Sequence, residues 1–132
     1  MTTIRPAIAS DAKAIHALVN EHAKKQLLLD RPLEEIVEEI DDFLVAEKDG
    51  KVIGCCQLDV YNTKLAELRS LAVKDEHKGM GAGKALVEEA LSHAKDKGVT
   101  EVMAITSEDE FFKKLGFGYA TPTQRRALFA KP

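Results

Sequence analysis

The amino-acid sequence predicts one α/β (α+β) domain of about seven strands and about four helices. Three observations carry that expectation. A chain of 132 residues can bury one substantial core and is too short for two. Its apolar periodicity switches between strand and helix types in the order β-α-α-β-β-β-α-β-α-β-β. A strand-like run, Glu67–Val73, also passes through a polar, glycine-rich loop into an alanine- and leucine-rich helix.

The elements follow from local signals. Thr3–Ala7 reads as a short strand, and Ser10 as the N-cap of a helix from Asp11 to about Lys25. Along that helix Ile15, Leu18, Val19 and His22 recur at helical spacing. Gln26–Arg31 is a linker. Pro32 suits the first position of a second helix, with Leu33, Ile36, Val37 and Ile40 as its apolar stripe. Glu34, Glu35, Glu38 and Glu39 are expected on the solvated face. Asp49-Gly50 supplies the turn of a hairpin between Phe43–Lys48 and Val52–Tyr61. Lys64–Val73 is the next strand, and a helix from about Gly81 to Lys97 is closed by Gly98. Val99–Thr106 reads as a strand. Ser107-Glu108-Asp109-Glu110 reads as a capping box for a short helix through Phe111, Phe112 and Leu115. Strands at Tyr119–Thr121 and Arg125–Ala130 complete the expected order.

Composition narrows the function. Hydrophobic residues make up 45% and charged residues 31%, as in ordinary globular proteins. A net charge of −3 advertises neither nucleic acid nor an anionic membrane as partner. No apolar run is long enough to span a bilayer, and the first residues lack a signal-peptide core. A cytoplasmic location is the expectation. Cys55 and Cys56 are neighbours in a strand, so their side chains should point to opposite faces and pack as small apolar groups. Four scattered histidines and no close cysteine spacing give no reason to expect a metal.

The glycine loop carries most of the functional information. Backbone N–H groups at a helix's first turn lack internal partners, and the helix dipole makes them an anion site. Two nucleotide motifs fail here. The ATPase phosphate loop would need glycine at Lys78 and Ser or Thr at Ala85, and the dinucleotide fingerprint would need a small residue at Lys84 or Leu86. The stretch Lys78-Gly79-Met80-Gly81-Ala82-Gly83 instead resembles the pyrophosphate loop, (Arg/Gln)-x-x-Gly-x-(Gly/Ala), of the GCN5-related N-acetyltransferases (GNAT). Lys78 departs from that pattern but keeps the positive charge. Phe111-Phe112-Lys113-Lys114-Leu115-Gly116-Phe117 is similar to the family's F-Y-x-K-x-G-F signature, and the element order agrees along the whole chain.

That resemblance implies a GNAT fold with a mixed central sheet, and acetyl-CoA as co-substrate. It places the cofactor on Lys78, Gly79, Met80, Gly81, Ala82, Gly83 and Lys84, on the backbone of Leu71, Ala72 and Val73, and beside Phe112. It puts the catalytic base at Glu67. An α-amine is largely protonated at neutral pH, so attack on a thioester needs a group to take that proton. Amides of a splayed strand around Leu71–Val73 would polarise the carbonyl, as an oxyanion hole does. Many relatives use a tyrosine as the acid where this chain has Phe112; Thr106, Ser107, solvent or the helix dipole would have to serve instead.

The acceptor is read from arginines. Leu27-Leu28-Leu29-Asp30-Arg31, Glu67-Leu68-Arg69 and Gln124-Arg125-Arg126 resemble the acetyltransferase domain of the N-acetylglutamate synthase family, the entry step of arginine biosynthesis. Its members often have phenylalanine at the tyrosine position. The resemblance implies L-glutamate as acceptor, with its carboxylates on Arg31, Arg69, Arg125 and Arg126, since guanidinium forks pair with carboxylates. Alternatives are another amine (a polyamine, an aminoglycoside or a peptide N-terminus) or a non-catalytic acyl-CoA-binding module. A homodimer is one assembly open to the chain.

Overall fold

The computed structural model describes residues 2–119 and residue 130. Among these residues five strands form one sheet in the order β1 (Thr2–Pro6), β2 (Phe43–Lys48), β3 (Lys51–Val60), β4 (Leu65–Val73) and β5 (Glu101–Met103). The first four pair antiparallel and β5 joins β4 in parallel, so the sheet is mixed. Four helices flank it: α1 (Ala12–Lys24), α2 (Leu33–Glu38), α3 (Ala82–Asp96) and α4 (Asp109–Lys113). The two C-terminal strands expected from the sequence fall largely on residues 120–129, outside the described residues.

The core lies on both faces of the sheet. Ile15, Leu18 and Val19 of α1 and Ile36 of α2 pack on Phe43, Val45, Cys55 and Ala72. On the other face, Leu86, Val87 and Ala90 of α3 and Phe112 of α4 pack on Leu44, Ala46, Ile53, Cys56 and Leu68. Each fully buried aliphatic side chain contributes about 1.5–3 kcal/mol. Cys55 and Cys56 do part to opposite faces, both buried as free thiols.

One irregularity sets the geometry of the site. Ala66 and Leu68 of β4 face α3, whereas Ala72, also even-numbered, faces α1 and α2. The pleat alternates strictly, so an extra residue must intervene. It does: Arg69 opposes Gln57 and Ala72 opposes Cys55, leaving Ser70 and Leu71 opposite Cys56 alone. Ser70 takes the left-handed region at φ +54°. A β-bulge therefore reverses the strand between Glu67 and Ala72.

Several local expectations need correction. Ser10 does not cap α1; the Asp11 carboxylate accepts the Ile8 N–H at 2.8 Å across a preceding 3-10 turn. Ser107 caps nothing either, and the Thr106 hydroxyl instead accepts the Glu108 N–H at 2.9 Å. Val37 leaves the apolar stripe and is exposed, because α2 ends at Glu38 and a 3-10 turn follows. The expected strand Val99–Thr106 pairs only over Glu101–Met103. Glu35 and Glu39, half-exposed, reach inward to the buried Arg31 guanidinium.

Candidate active site

Between β4 and α3 the chain makes a 3-10 turn, Asp75–His77, and then the glycine loop. Gly79 and Gly81 both have positive φ, at +79° and +86°. A β-carbon at either would meet nothing within 4 Å, so backbone conformation, not space, demands glycine there. Gly81 is the N-cap of α3, and no side chain caps it. The first helical bond runs from the Ala85 N–H to the Gly81 carbonyl at 3.0 Å. By helix geometry, the N–H groups of Ala82, Gly83 and Lys84 are left pointing off the end. Met80 is exposed at the loop tip. Lys78 stands beside it with Nζ 3.1 Å from Asp75, which also takes Lys25 from the end of α1. These two ammonium groups hold the Asp75 carboxyl down to about 2.

The second part of the site is the edge of β4. β5 pairs with Leu65, Ala66 and Glu67 and then ends, so among the described residues Leu68–Val73 have no strand neighbour on that side. Glu67 sits at the fork, its side chain 15% exposed, and Leu71, Ala72 and Val73 lie beyond it on the unpaired edge. Arg69 shares the face of Glu67. Its Nε is 3.9 Å from Glu67 and its Nη1 3.3 Å from Asp59. Tyr61, at the end of β3, donates its hydroxyl to Glu67. No sequence motif singles out Tyr61, which lies six residues away across a turn; only the strand pairing brings it there.

Arg31 is elsewhere. It ends the linker between α1 and α2, its side chain is 4% exposed, and every guanidinium nitrogen has a protein partner. Nε donates to Glu35 at 2.8 Å, Nη1 donates to Gln57 and to Ser70 Oγ (3.0 Å), and Nη2 donates to Glu39 at 3.0 Å. The guanidinium also lies 5.6 Å from the centre of the Phe43 ring. Phe112 belongs to the core, edge-on to Phe111 and Phe117 at 5.0 and 5.1 Å between ring centres. Arg125 and Arg126 lie outside the described residues.

An open groove of about 550 Å³ runs along the outer side of α3 toward α4, lined by Lys84, Lys95 and Lys114 with Glu88, Leu91 and Ser92. Among the described residues no helix is long and apolar enough to cross a membrane, and no cluster of His, Cys, Asp and Glu could hold a metal ion.

A family model, that of the acetyltransferase (GNAT) family, matches residues 10–117. The chain belongs to this family. It is an acetyl-CoA-dependent N-acetyltransferase with the GNAT fold. An uncharacterized N-acetyltransferase of Chlorobaculum tepidum is 43% identical over 88% of this chain and 75% of its own length. An amino-acid acetyltransferase of Mycobacterium tuberculosis is 39% identical over 86% of this chain and 67% of its own. Among solved structures, N-acetylglutamate synthase of Neisseria gonorrhoeae, complexed with coenzyme A and N-acetyl-glutamate, superposes with a TM-score of 0.86 at 28% identity. That match covers 92% of this GNAT chain but 29% of the synthase.

Proposed function

We propose that this GNAT enzyme acetylates the α-amine of L-glutamate, as the first acetylation of arginine biosynthesis in the cytoplasm. The observation that carries the reading is Glu67 at the fork of β4 and β5 with Arg69 beside it: a carboxylate to take the proton and a guanidinium to hold an acidic acceptor. The 39% identical amino-acid acetyltransferase supports the amino-acid class, and the synthase complex supports glutamate.

In this reading the pyrophosphate of acetyl-CoA lies on the amides of Ala82, Gly83 and Lys84, over the loop Lys78–Gly81. Lys78 adds positive charge. The pantetheine arm follows the open edge of β4, and amides among Leu71, Ala72 and Val73 polarise the thioester carbonyl. Glu67 accepts a proton from the α-ammonium, directly or through water. The neutral amine then attacks the carbonyl carbon, the nitrogen of the tetrahedral intermediate gives up its extra proton to solvent, and the intermediate collapses with loss of CoA thiolate. Phe112 is buried and has no proton to give, so it does not protonate the thiolate. Arg31 has no free guanidinium nitrogen, which leaves carboxylate recognition to Arg69, Arg125 and Arg126.

Steady-state rates for glutamate, glutamine and spermidine on one preparation test the proposal. Glutamate should be fastest, glutamine slow but detectable, and spermidine inert. A preference for spermidine would indicate a polyamine enzyme, and no turnover of any amine an acyl-CoA-binding module.

A further inference from the structure

Ser70 holds a backbone conformation that ordinary L-residues avoid. Its φ of +54° is strained for any residue but glycine, and such a residue persists where its surroundings over-determine it. Those surroundings converge on Ser70 from two elements, the linker ahead of α2 and β3. Arg31 Nη1 donates to its hydroxyl at 3.0 Å, from the linker ahead of α2. The Cys55 thiol, on β3, donates to its carbonyl at 3.4 Å. Gln57, also on β3 and fully buried, accepts from the same Arg31 nitrogen and donates to Glu39 at 3.0 Å. Glu35 and Glu39 balance the buried charge. Truncating one member of such a network strands the others, which is why it behaves as one unit.

The bulge that this network holds decides which way the next three residues face. Leu71, Ala72 and Val73 follow it directly, on the edge left open by the short β5. We propose that Arg31 is a positioning residue for acetyl transfer: through Ser70 and Gln57 its guanidinium pins the β4 bulge, and so sets where the amides of Leu71–Val73 meet the thioester. A residue between α1 and α2 thereby fixes the register of a strand edge on which it makes no contact with the cofactor. The inference rests on the reading of Leu71–Val73 as the thioester's seat.

Two measurements separate that reading from the pin. Coenzyme A is titrated into the full-length protein while backbone amide resonances are followed by NMR. The wild-type amides of Leu71–Val73 should shift if they seat the ligand; shifts confined to the glycine loop would remove the seat and overturn the inference with it. Ser70→Ala deletes one hydroxyl and leaves Glu35, Glu39 and the core alone. It should shrink the Leu71–Val73 shifts and weaken CoA binding several-fold, with the glycine-loop shifts retained. Identical shifts and affinity would overturn the pin while leaving the seat standing.

Kinetics supply the second readout. Arg31→Lys keeps the charge but replaces a fork with a single ammonium. A misplaced edge should lower kcat roughly 10- to 100-fold, with KM for glutamate nearly unmoved. Because both residues act through one contact, the Ser70→Ala, Arg31→Lys double variant should be no slower than Arg31→Lys alone. Additive losses, or a rise confined to the glutamate KM, would assign Arg31 to acceptor binding instead. Should Arg31→Lys fail to fold, the Ser70→Ala titration decides alone.

Discussion

Tyr61 donates its phenolic hydrogen to Oε1 of Glu67, the carboxylate at the fork of the sheet. The hydrogen bond to Glu67, aided by partial desolvation, pushes the Tyr61 hydroxyl up to about 12. The tyrosine therefore keeps its proton through the working range, and the contact holds one carboxylate oxygen in place while the other remains available. Because this pKa is raised, the stabilisation from the contact is complete below about pH 10, the ordinary tyrosine value, and is lost as pH rises toward 12.

Glu67→Gln should lower kcat by roughly 10²–10⁴-fold, the usual worth of a positioned base. Rates should recover as pH rises and the amine loses its proton unaided. Tyr61→Phe keeps the base and loses its anchor, so kcat should fall only several-fold with little change in KM. Phenolic absorbance gives an independent check. One of the two tyrosines should titrate near pH 12, and Tyr61→Phe should abolish that step. A loss of less than about threefold in Glu67→Gln would hand the proton to another base or to water.

The lysine groove bears on cofactor choice. Acetyl-CoA carries a 3′-phosphate in addition to its pyrophosphate, and Lys84, Lys95 and Lys114 line a groove that begins at the first turn of α3. An exposed ion pair is worth about 0.2–1 kcal/mol, so three together make about a tenfold difference. Replacing all three lysines with alanine should raise KM for acetyl-CoA about tenfold, while KM for acetyl-dephospho-CoA barely changes. Equal losses with both thioesters would mean that the groove serves fold or pyrophosphate rather than the third phosphate.

What could be read from the sequence was what is local along the chain. The glycine loop was legible because strand, turn and helix lie within about twenty consecutive residues, and Lys78, Gly81 and Gly83 must fall at fixed spacing. Glu67 was legible as a position on a strand. Sequence alone offers Arg31 to a substrate carboxylate, because its partners Gln57 and Ser70 lie 26 and 39 residues further on and no spacing rule connects them. For the same reason Glu35 and Glu39 passed for a solvated face. The bulge at Ser70 left no mark either, since serine carries none of glycine's preference for positive φ. Residue type alone points to Ser10 as the cap, whereas the neighbouring Asp11 has the stronger acceptor and an arginine to hold it.

That last pair gives a stability prediction. Arg5 on β1 grips Asp11 through two hydrogen bonds, at 2.8 and 3.1 Å, and also reaches Glu47 on β2. Asp11 is 7% exposed, and the Arg5 hydrogen bond lowers its pKa despite desolvation. A depressed carboxylate contributes stability above its unfolded value of about 3.9 and loses it as pH falls through the folded value. Asp11→Asn should therefore cost about 1–2 kcal/mol at pH 7, the worth of a charge-assisted pair whose arginine is partly exposed and keeps Glu47. Thermal melts of wild type and variant should converge as pH drops below about 4. Parallel curves down to pH 2 would place the acid sensitivity elsewhere.

Asp75 makes the opposite prediction for the cofactor. It is pinned between Lys25 and Lys78, and with its carboxyl held down to about 2 it stays charged at any assay pH. The contribution of these contacts to stability is lost only as pH falls from about 4 toward 2, because the folded value is the lower one. At neutral pH the carboxylate competes with a bound pyrophosphate for Lys78. Asp75→Asn keeps the size and hydrogen-bonding capacity of the side chain and removes its charge. Coenzyme A should bind about two- to fivefold tighter to that variant at low salt, within the range of an exposed ion pair. The advantage should fade by 1 M salt, where charges are screened beyond about 3 Å. Lys78→Ala should shift affinity the other way, and in its presence Asp75→Asn should have a smaller effect. Weaker binding by Asp75→Asn in calorimetry would show that Asp75 shapes the loop rather than competing for its lysine.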